Sequence, residues 1–464
     1  MSGPEETPVR RFLRSSGIMA LFYAAAMVLA FVTGIVLTRS LGAYGYGIYS
    51  LALTTATLIG LITEFGLPVL AMRETGTARA SGKWGHLRGL LTWSDRAILL
   101  LSLVLIAGTY GWIVLSGRAA DSDYLAVMLW AVVLLPLVGL AKLRSTVLLA
   151  LDRVAAGQFA VMILRPLVFL AVCFAIPLFA GALTPAGAMI AQVLGAVASL
   201  VMVALLFRRW RPRELVEAKP ERDVRGWLAA SLPMGLTEGL RLLQGQLALL
   251  LTGWLAGATA AGVYRGADAV LQLATVIASV AATAATPMFA RMVKEDDRAG
   301  IERIAALACL AMAGGVLGIA LPIALVGDWL FPLLFGQDFA ASPPVFAILA
   351  AGLFATYGMG LAQALANMSG HHVLTTQSFL VTAAINLALG LALIPAQGAI
   401  GAAIATAVSA TCGAGWCAWR LWRRTGYNTS LFNPALPGIV AGSVRSGLAL
   451  AKGASRGQGN GIGR

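Results

Sequence analysis

Gly42-Ala43-Tyr44-Gly45-Tyr46-Gly47-Ile48-Tyr49 returns about 215 residues later as Gly257-Ala258-Thr259-Ala260-Ala261-Gly262-Val263-Tyr264, with four of the eight positions identical. Other features keep nearly the same offset. Pro68 with Arg73 falls near Pro287 with Arg291, and Gly187-Ala188-Met189-Ile190-Ala191 falls on Gly401-Ala402-Ala403-Ile404-Ala405. Gly and Ala are common in this chain, so it is the constancy of the offset that marks an internal repeat.

On either side of both copies the chain runs apolar for about 18–25 residues at a time, the length a helix rising ~1.5 Å per residue needs to cross ~30 Å of hydrocarbon. Of the 464 residues, 59% are hydrophobic and 12% charged, a balance that excludes an ordinary soluble domain. The ~10-residue alternating stretches of an outer-membrane barrel are missing. The expected fold is an all-α polytopic membrane protein with twelve transmembrane helices, at 17–38, 46–66, 97–115, 124–141, 156–180, 185–207, 228–255, 262–286, 304–326, 343–366, 373–394 and 398–420. Six helices per repeat is an even number, so the two lobes are parallel, related by an axis along the membrane normal. Repeats of this kind mark secondary transporters, with a central cavity between the lobes and alternating access.

The domain reading follows: residues 1–16 a cytoplasmic segment, 17–207 the first lobe, 208–227 a basic cytoplasmic linker, 228–420 the second lobe and 421–464 a cytoplasmic, disordered tail rich in Gly, Ser and Arg. The charged Val9-Arg10-Arg11-Phe12-Leu13-Arg14 precedes a first span that stays apolar past any small-residue cleavage point, as expected of an uncleaved helix. With the amino terminus inside, 29 of the 34 basic residues fall in cytoplasmic segments. Two, Arg39 and Arg118, fall outside, and Arg165, Arg241 and Arg265 lie within spans. Both termini are thus expected in the cytoplasm. The net charge of +14 is spread over the inner membrane face, where anionic lipids attract it, so nucleic acid is not an expected partner.

The cysteines at 173, 309, 412 and 417 lie in apolar runs and read as core residues. His86 and the His371-His372 pair fall in expected loops without metal-ligand spacing, and no phosphate-loop motif is present. No cofactor, metal or catalytic residue is expected.

A charge at mid-bilayer costs about 2.5–3.5 kcal/mol even on the lenient insertion scale, so one persists only where water, a partner or a substrate offsets it. Arg265, Asp268, Gln272, Thr275, Ser279, Thr283 and Thr286 fall within an arc of roughly 80° at ~100° per residue. For the hydroxyl positions alone a helix–helix seam suffices; the guanidinium, carboxylate and amide point to a water-filled cavity. Thr237, Glu238, Arg241 and Gln244 share about 120° of helix 7, and Pro233, Gly235, Gly239 and Gly245 would permit a bend or a break near them. Thr356, Gln363 and Asn367 share an arc of ~40° in helix 10. Arg165 stands near mid-depth in helix 5, with Gln158 a heptad before it; it either faces the cavity or pairs with Glu64. Three arginines against Glu64, Glu238 and Asp268 leave the interior formally neutral. Hydroxyls, amides and guanidiniums suit a sugar-phosphate better than a greasy cation, because arginine matches phosphate bidentately. The candidate substrate-binding residues are Arg165, Arg241, Arg265, Glu238, Asp268, Gln244 and Gln272. Asp268, Glu238 and Glu64 are the candidates for coupling to H⁺ or Na⁺.

The run Thr38-Arg39-Ser40-Leu41 through Gly42–Ser50, then Glu64-Phe65-Gly66-Leu67-Pro68 and Arg73-Glu74, resembles the first-repeat signature of the polysaccharide biosynthesis flippases. These are the Wzx-like, oligosaccharide-lipid members of the multidrug/oligosaccharidyl-lipid/polysaccharide (MOP) exporter superfamily. Leu164-Arg165-Pro166 and Gly262-Val263-Tyr264 are similar to further family features, and the resemblance covers about residues 10–425. It implies a MOP/MATE-like arrangement that moves an undecaprenyl-pyrophosphate-linked oligosaccharide (an O-antigen, capsule or exopolysaccharide repeat unit) from the inner to the outer leaflet of a bacterial inner membrane. Other glycan-assembly proteins are then candidate partners. Arg265 resembles the cavity arginine on helix 8 of lipid II flippases, but helix 1 lacks their charged pair, which argues against a peptidoglycan precursor. Moving two negative charges outward against an inside-negative potential is downhill by ~4.6 kcal/mol per 100 mV. The rival readings are an H⁺- or Na⁺-driven multidrug exporter of the same superfamily and a polytopic glycan polymerase or ligase. The proton-driven exporters typically carry an acid in the first helix, and the polymerases a large outer loop; this chain has neither.

Overall fold

The computed structural model describes residues 8–115 and 123–430, with side chains from Leu21 onward except at 113, 114, 180, 277, 283, 284 and 287. Arg118, most of the expected tail and the Thr283 side chain therefore lie outside the described residues. The described elements are helical: α1 (Pro8–Glu64), α2 (Leu67–Ser81), α3 (Trp84–Leu115), α4 (Asp123–Ala150), α5 (Val154–Phe159), a π-turn (Ala160–Leu164), α6 (Arg165–Ala180), α7 (Pro185–Trp210), α8 (Arg213–Glu217), α9 (Val224–Lys294), α10 (Arg298–Leu325), α11 (Gly327–Phe335), a 3₁₀ turn (Gln337–Phe339), α12 (Ser342–Gly358), α13 (Ala362–Met368), α14 (His372–Gln397) and α15 (Ala399–Thr425). Ten apolar helical stretches among the described residues are long enough to cross a membrane, and two of them, Leu21–Glu64 and Val224–Val276, run to 44 and 53 residues.

Those two long stretches carry the repeat. Where the sequence suggests loops at 39–45 and 256–261, one residue breaks each helix: Gly42 (φ 66°, ψ −179°) in α1 and Gly257 (φ 87°, ψ 173°) in α9. An L side chain resists that left-handed φ, so only glycine turns the chain so abruptly. Just beyond the breaks the two halves touch reciprocally. A Cβ at Gly47 would strike the carbonyl of Ala258, and a Cβ at Gly262 would strike the carbonyl of Ala43. Each half offers its alanine carbonyl to the other's glycine, so the sequence repeat is also a structural one. Such close approach is how helices associate where lipid tails are as apolar as the side chains.

The chain divides into two compact units. One takes Met1–Leu273, Ala324–Ala347 and Asn386–Ala405; the other takes Ala274–Ile323, Ile348–Ile385 and Thr406–Arg464. In the first, α4 packs against α1, α2, α3, α5 and α7, over a core that includes Leu70, Leu90, Leu143 and Leu148. The basic linker is seated on this unit. Arg88 donates to the carbonyls of Val216 and Ala218, the Glu221 amide donates to the Gly85 carbonyl (3.1 Å), and Trp227 is buried with its Nε1 donating to His86 Nε2 (2.9 Å). The expected outer loop 327–342 is also ordered. Arg39 donates to the last carbonyls of α11, at Leu333 and Leu334, and the Asp338 carboxylate accepts from the Ala43 amide (3.3 Å). Charge placed at these two helix ends has the sign the backbone dipole favours.

In the second unit a core that includes Phe289, Ile301, Leu365 and Leu421 is closed by Arg298, which donates to the Gly426 carbonyl (2.7 Å). Three expectations are corrected. The segment 73–96 is mostly helical, in α2 and α3. The apolar stretch Ser342–Met368 matches the span expected at 343–366, but its helix stops at Gly358 and restarts at Ala362, with Gly360 (φ 73°) between. Helix α9 runs unbroken through Pro233–Gly245; along it the Thr237 hydroxyl donates to the Pro233 carbonyl (3.0 Å) and Ser231 to that of Leu228 (3.4 Å). Of the cysteines, Cys412 is exposed and the other three are buried.

Candidate functional site

At the start of the α9 stripe three of its side chains bond to one another. Arg265 Nη1 lies 2.8 Å from Asp268 Oδ2, and Gln272 Nε2 donates to Asp268 Oδ1 at 3.2 Å. The carboxylate is thus held from both sides by its own helix, at the i+3 and i+4 spacings that bring side chains together. Further along, within the second unit, Ser279 and Thr286 bond back to carbonyls of the same helix at Thr275 and Ala282.

Sequence reasoning missed the wall facing Arg265. Tyr46, buried in α1, lies beside Arg265 and Asp268 and next to Ser50, and Thr54 donates to Gln246 Oε1 (3.3 Å). Positions 46, 50 and 54 recur at i+4, a weak polar face obscured by its glycine-rich surroundings. Tyr49, also buried, is within electrostatic reach of both Arg165 and Arg265. The fold thus gathers α1, α6 and α9 around one polar region of the first unit.

A second charged group joins α1, α4 and α9. Lys142 Nζ is 2.6 Å from Glu64 Oε2, and Glu238, within electrostatic reach of Lys142, forms a two-bonded pair with Arg241 (2.7 and 2.9 Å). Arg165 makes no ion pair with Glu64, whose carboxylate is held by Lys142. Arg241 is half exposed, its side chain at 53%. The Oε1 of Gln244 is buried without a hydrogen bond from any described residue.

This network changes the charge balance. Lys142 lies within α4, not in a loop, so Glu64, Glu238 and Asp268 each have a basic partner before Arg165 is counted. Arg165 stands mid-way along the span Val154–Phe179 and makes no hydrogen bond or ion pair with a described side chain. The π-turn directly before it rotates Gln158 off the face the heptad spacing suggests, and such turns recur at functional positions.

The helix 10 arc does not survive as a single face. The break at 359–361 puts Thr356 on α12 and Gln363 with Asn367 on α13. Thr356 meets Thr411, Gln363 donates to Ser378, and Thr375 donates to Asn367. These are packing bonds to α14 and α15.

Residues 12–293 match the family described as polysaccharide biosynthesis protein. Stage V sporulation protein B of Bacillus subtilis (strain 168) is 26% identical over 203 residues, 42% of this chain and 39% of that protein, so the match spans about two fifths of the relative's length. Among solved structures, an inward-facing multidrug resistance MATE family transporter of the MOP superfamily superposes with a TM-score of 0.71 at 16% identity, over 86% of this chain and 96% of that one. The lipid II flippase MurJ in an inward closed conformation gives 0.67 at 11% identity, over 86% and 87%. At those identities the likeness establishes the fold. The chain therefore belongs to the polysaccharide biosynthesis protein family, and its all-helical, multi-pass fold is MATE- and MurJ-like.

Proposed function

We propose that the protein is a flippase that carries an undecaprenyl-pyrophosphate-linked oligosaccharide from the cytoplasmic to the outer leaflet of a bacterial inner membrane. The observation that carries this reading is Arg165, a mid-span guanidinium with no hydrogen bond or ion pair to a described side chain, while the carboxylates of Glu64, Glu238 and Asp268 are paired. An uncompensated cation at that depth costs about 2.5–3.5 kcal/mol or more, and an anionic cargo offsets it. Pyrophosphate fits the planar, forked guanidinium better than a monovalent carboxylate does. The buried Gln244 Oε1, an acceptor without a donor, suits a sugar hydroxyl.

In this reading each long helix, broken at its glycine, supplies two crossings, giving twelve spans in two parallel six-helix lobes, with both termini cytoplasmic. The lobes rock about the Gly47–Gly262 contact, and the glycan and pyrophosphate pass through a wet central cavity that the α9 stripe lines. Arg165, Arg241, Arg265, Glu238, Asp268, Gln244 and Gln272 form the binding set. Asp268, doubly held, is the carboxylate whose protonation would free Arg265, which makes it the leading coupling candidate over Glu238 and Glu64.

Deleting the gene tests the reading. Loss of a surface glycan with its lipid-linked repeat unit accumulating on the inner leaflet is expected. Unchanged surface glycan together with cation-drug resistance on overexpression would overturn it in favour of a multidrug exporter.

A further inference from the structure

At one end of the first unit, away from the residues above, a cavity of about 350 Å³ is lined by Arg79, Trp84, Leu151, Arg153, Trp210 and Glu214, among others. It lies where several helices begin and end. Trp84 opens the stretch Trp84–Trp112 and Trp210 closes Pro185–Trp210, while Leu151 and Arg153 lie between Asp123–Ala150 and Val154–Phe179. Four helix ends meet there together with two tryptophans, the residue enriched at the lipid headgroups.

Its charges are unevenly committed. Arg79 is engaged by Asp152 (2.6 Å) and by the Ala150 carbonyl (2.7 Å). The Arg153 guanidinium lies over the Trp210 ring, its carbon 4.0 Å from the centroid, and makes no hydrogen bond or ion pair with a described residue. A guanidinium over an aromatic face is held by the ring while its N–H donors stay available to a ligand oxygen. Glu214, exposed on α8, likewise has no ion pair among the described residues. Arg209, 6.0 Å from the same ring, does not line the cavity. The site therefore offers one free cation and one free anion beside two indoles and a leucine.

We infer that this cavity seats a phospholipid headgroup that carries both a phosphodiester and a primary ammonium. The phosphate meets Arg153, the ammonium meets Glu214, and the glycerol and upper acyl chains lie along Leu151 and the indoles. A purely anionic headgroup would satisfy Arg153 but face Glu214 unpaired; basic pockets between helices otherwise select anionic lipids.

The test measures the thermal midpoint of the detergent-purified full chain titrated with short-chain phosphatidylethanolamine, short-chain phosphatidylglycerol or free phosphoethanolamine. Phosphatidylethanolamine should stabilise at the lowest concentration. Arg153→Ala should raise the concentration required roughly tenfold, the scale of one lost charge-assisted contact. Glu214→Gln, with its lipid-free midpoint unchanged, should erase the preference over phosphatidylglycerol while keeping phosphatidylglycerol binding. Equal or tighter phosphatidylglycerol binding by the natural chain would overturn the inference. So would free phosphoethanolamine acting as strongly as the lipid, or an Arg153→Ala titration identical to that of the natural chain.

Discussion

Arg165 and Arg265 both stand in the first unit, both within electrostatic reach of Tyr49, and they are held in opposite ways. Arg265 has Asp268 one turn further along its own helix and a buried tyrosine beside it; Arg165 follows a π-turn and has no charged partner among the described residues. The difference separates a guanidinium whose charge the fold has compensated from one whose charge it has left for something else. A paired arginine in lipid is explained by its pair. An unpaired one calls for a ligand.

Substitutions sharpen this contrast. Arg165→Ala should have the largest effect on transport, lowering glycan export by roughly tenfold to a hundredfold, the equivalent of ~1.5–3 kcal/mol in charge-assisted bonds. The thermal midpoint should stay unchanged or rise, because an uncompensated charge is removed. A clear fall in midpoint would show that Arg165 is structural and would break the comparison. Arg165→Lys should rescue poorly, since an ammonium lacks the planar fork.

The repeat contact should answer in stability. Gly47→Ala and Gly262→Ala each force a methyl against a facing backbone carbonyl and should cost about 1–3 kcal/mol, read as a lower thermal midpoint. Matching losses at the two positions would confirm that the halves meet reciprocally. A double-mutant cycle on Arg265→Ala and Asp268→Ala should give a coupling of about 0.5–1 kcal/mol, reduced because the arginine is over one-third exposed. The same cycle with Arg165 in place of Arg265 should give a coupling near zero. Arg241→Ala should cost least in stability, a few tenths of a kcal/mol, since its pair with Glu238 is solvent-accessible.

The all-helical fold and the repeat were legible because both rest on local features. Run length reports membrane crossing, and glycine at 42 and 257 marks the only backbone sites where α1 and α9 leave helical geometry. The sequence puts Arg265 and Asp268 on one face of the helix, and the structure pairs them at the i+3 spacing. What was not legible depended on packing between distant segments. Nothing local to Lys142 says that it lies inside α4 facing Glu64, and this one pairing turns an apparently neutral interior into one with Arg165 left over. Tyr46, Ser50 and Thr54 join the site only because α1 folds back on α9. The π-turn before Arg165 and the break at Gly360 each rotate faces that strict 3.6-residue periodicity would keep aligned.

Transfer of a fluorescent undecaprenyl-pyrophosphate-linked oligosaccharide between leaflets of proteoliposomes, with the natural chain beside Arg165→Ala, addresses the central claim most directly. The natural chain should move the lipid, faster when the destination side is positive, and the variant should lose most of that rate while inserting normally. Equal rates for the two proteins, or no transfer above protein-free vesicles, would contradict it.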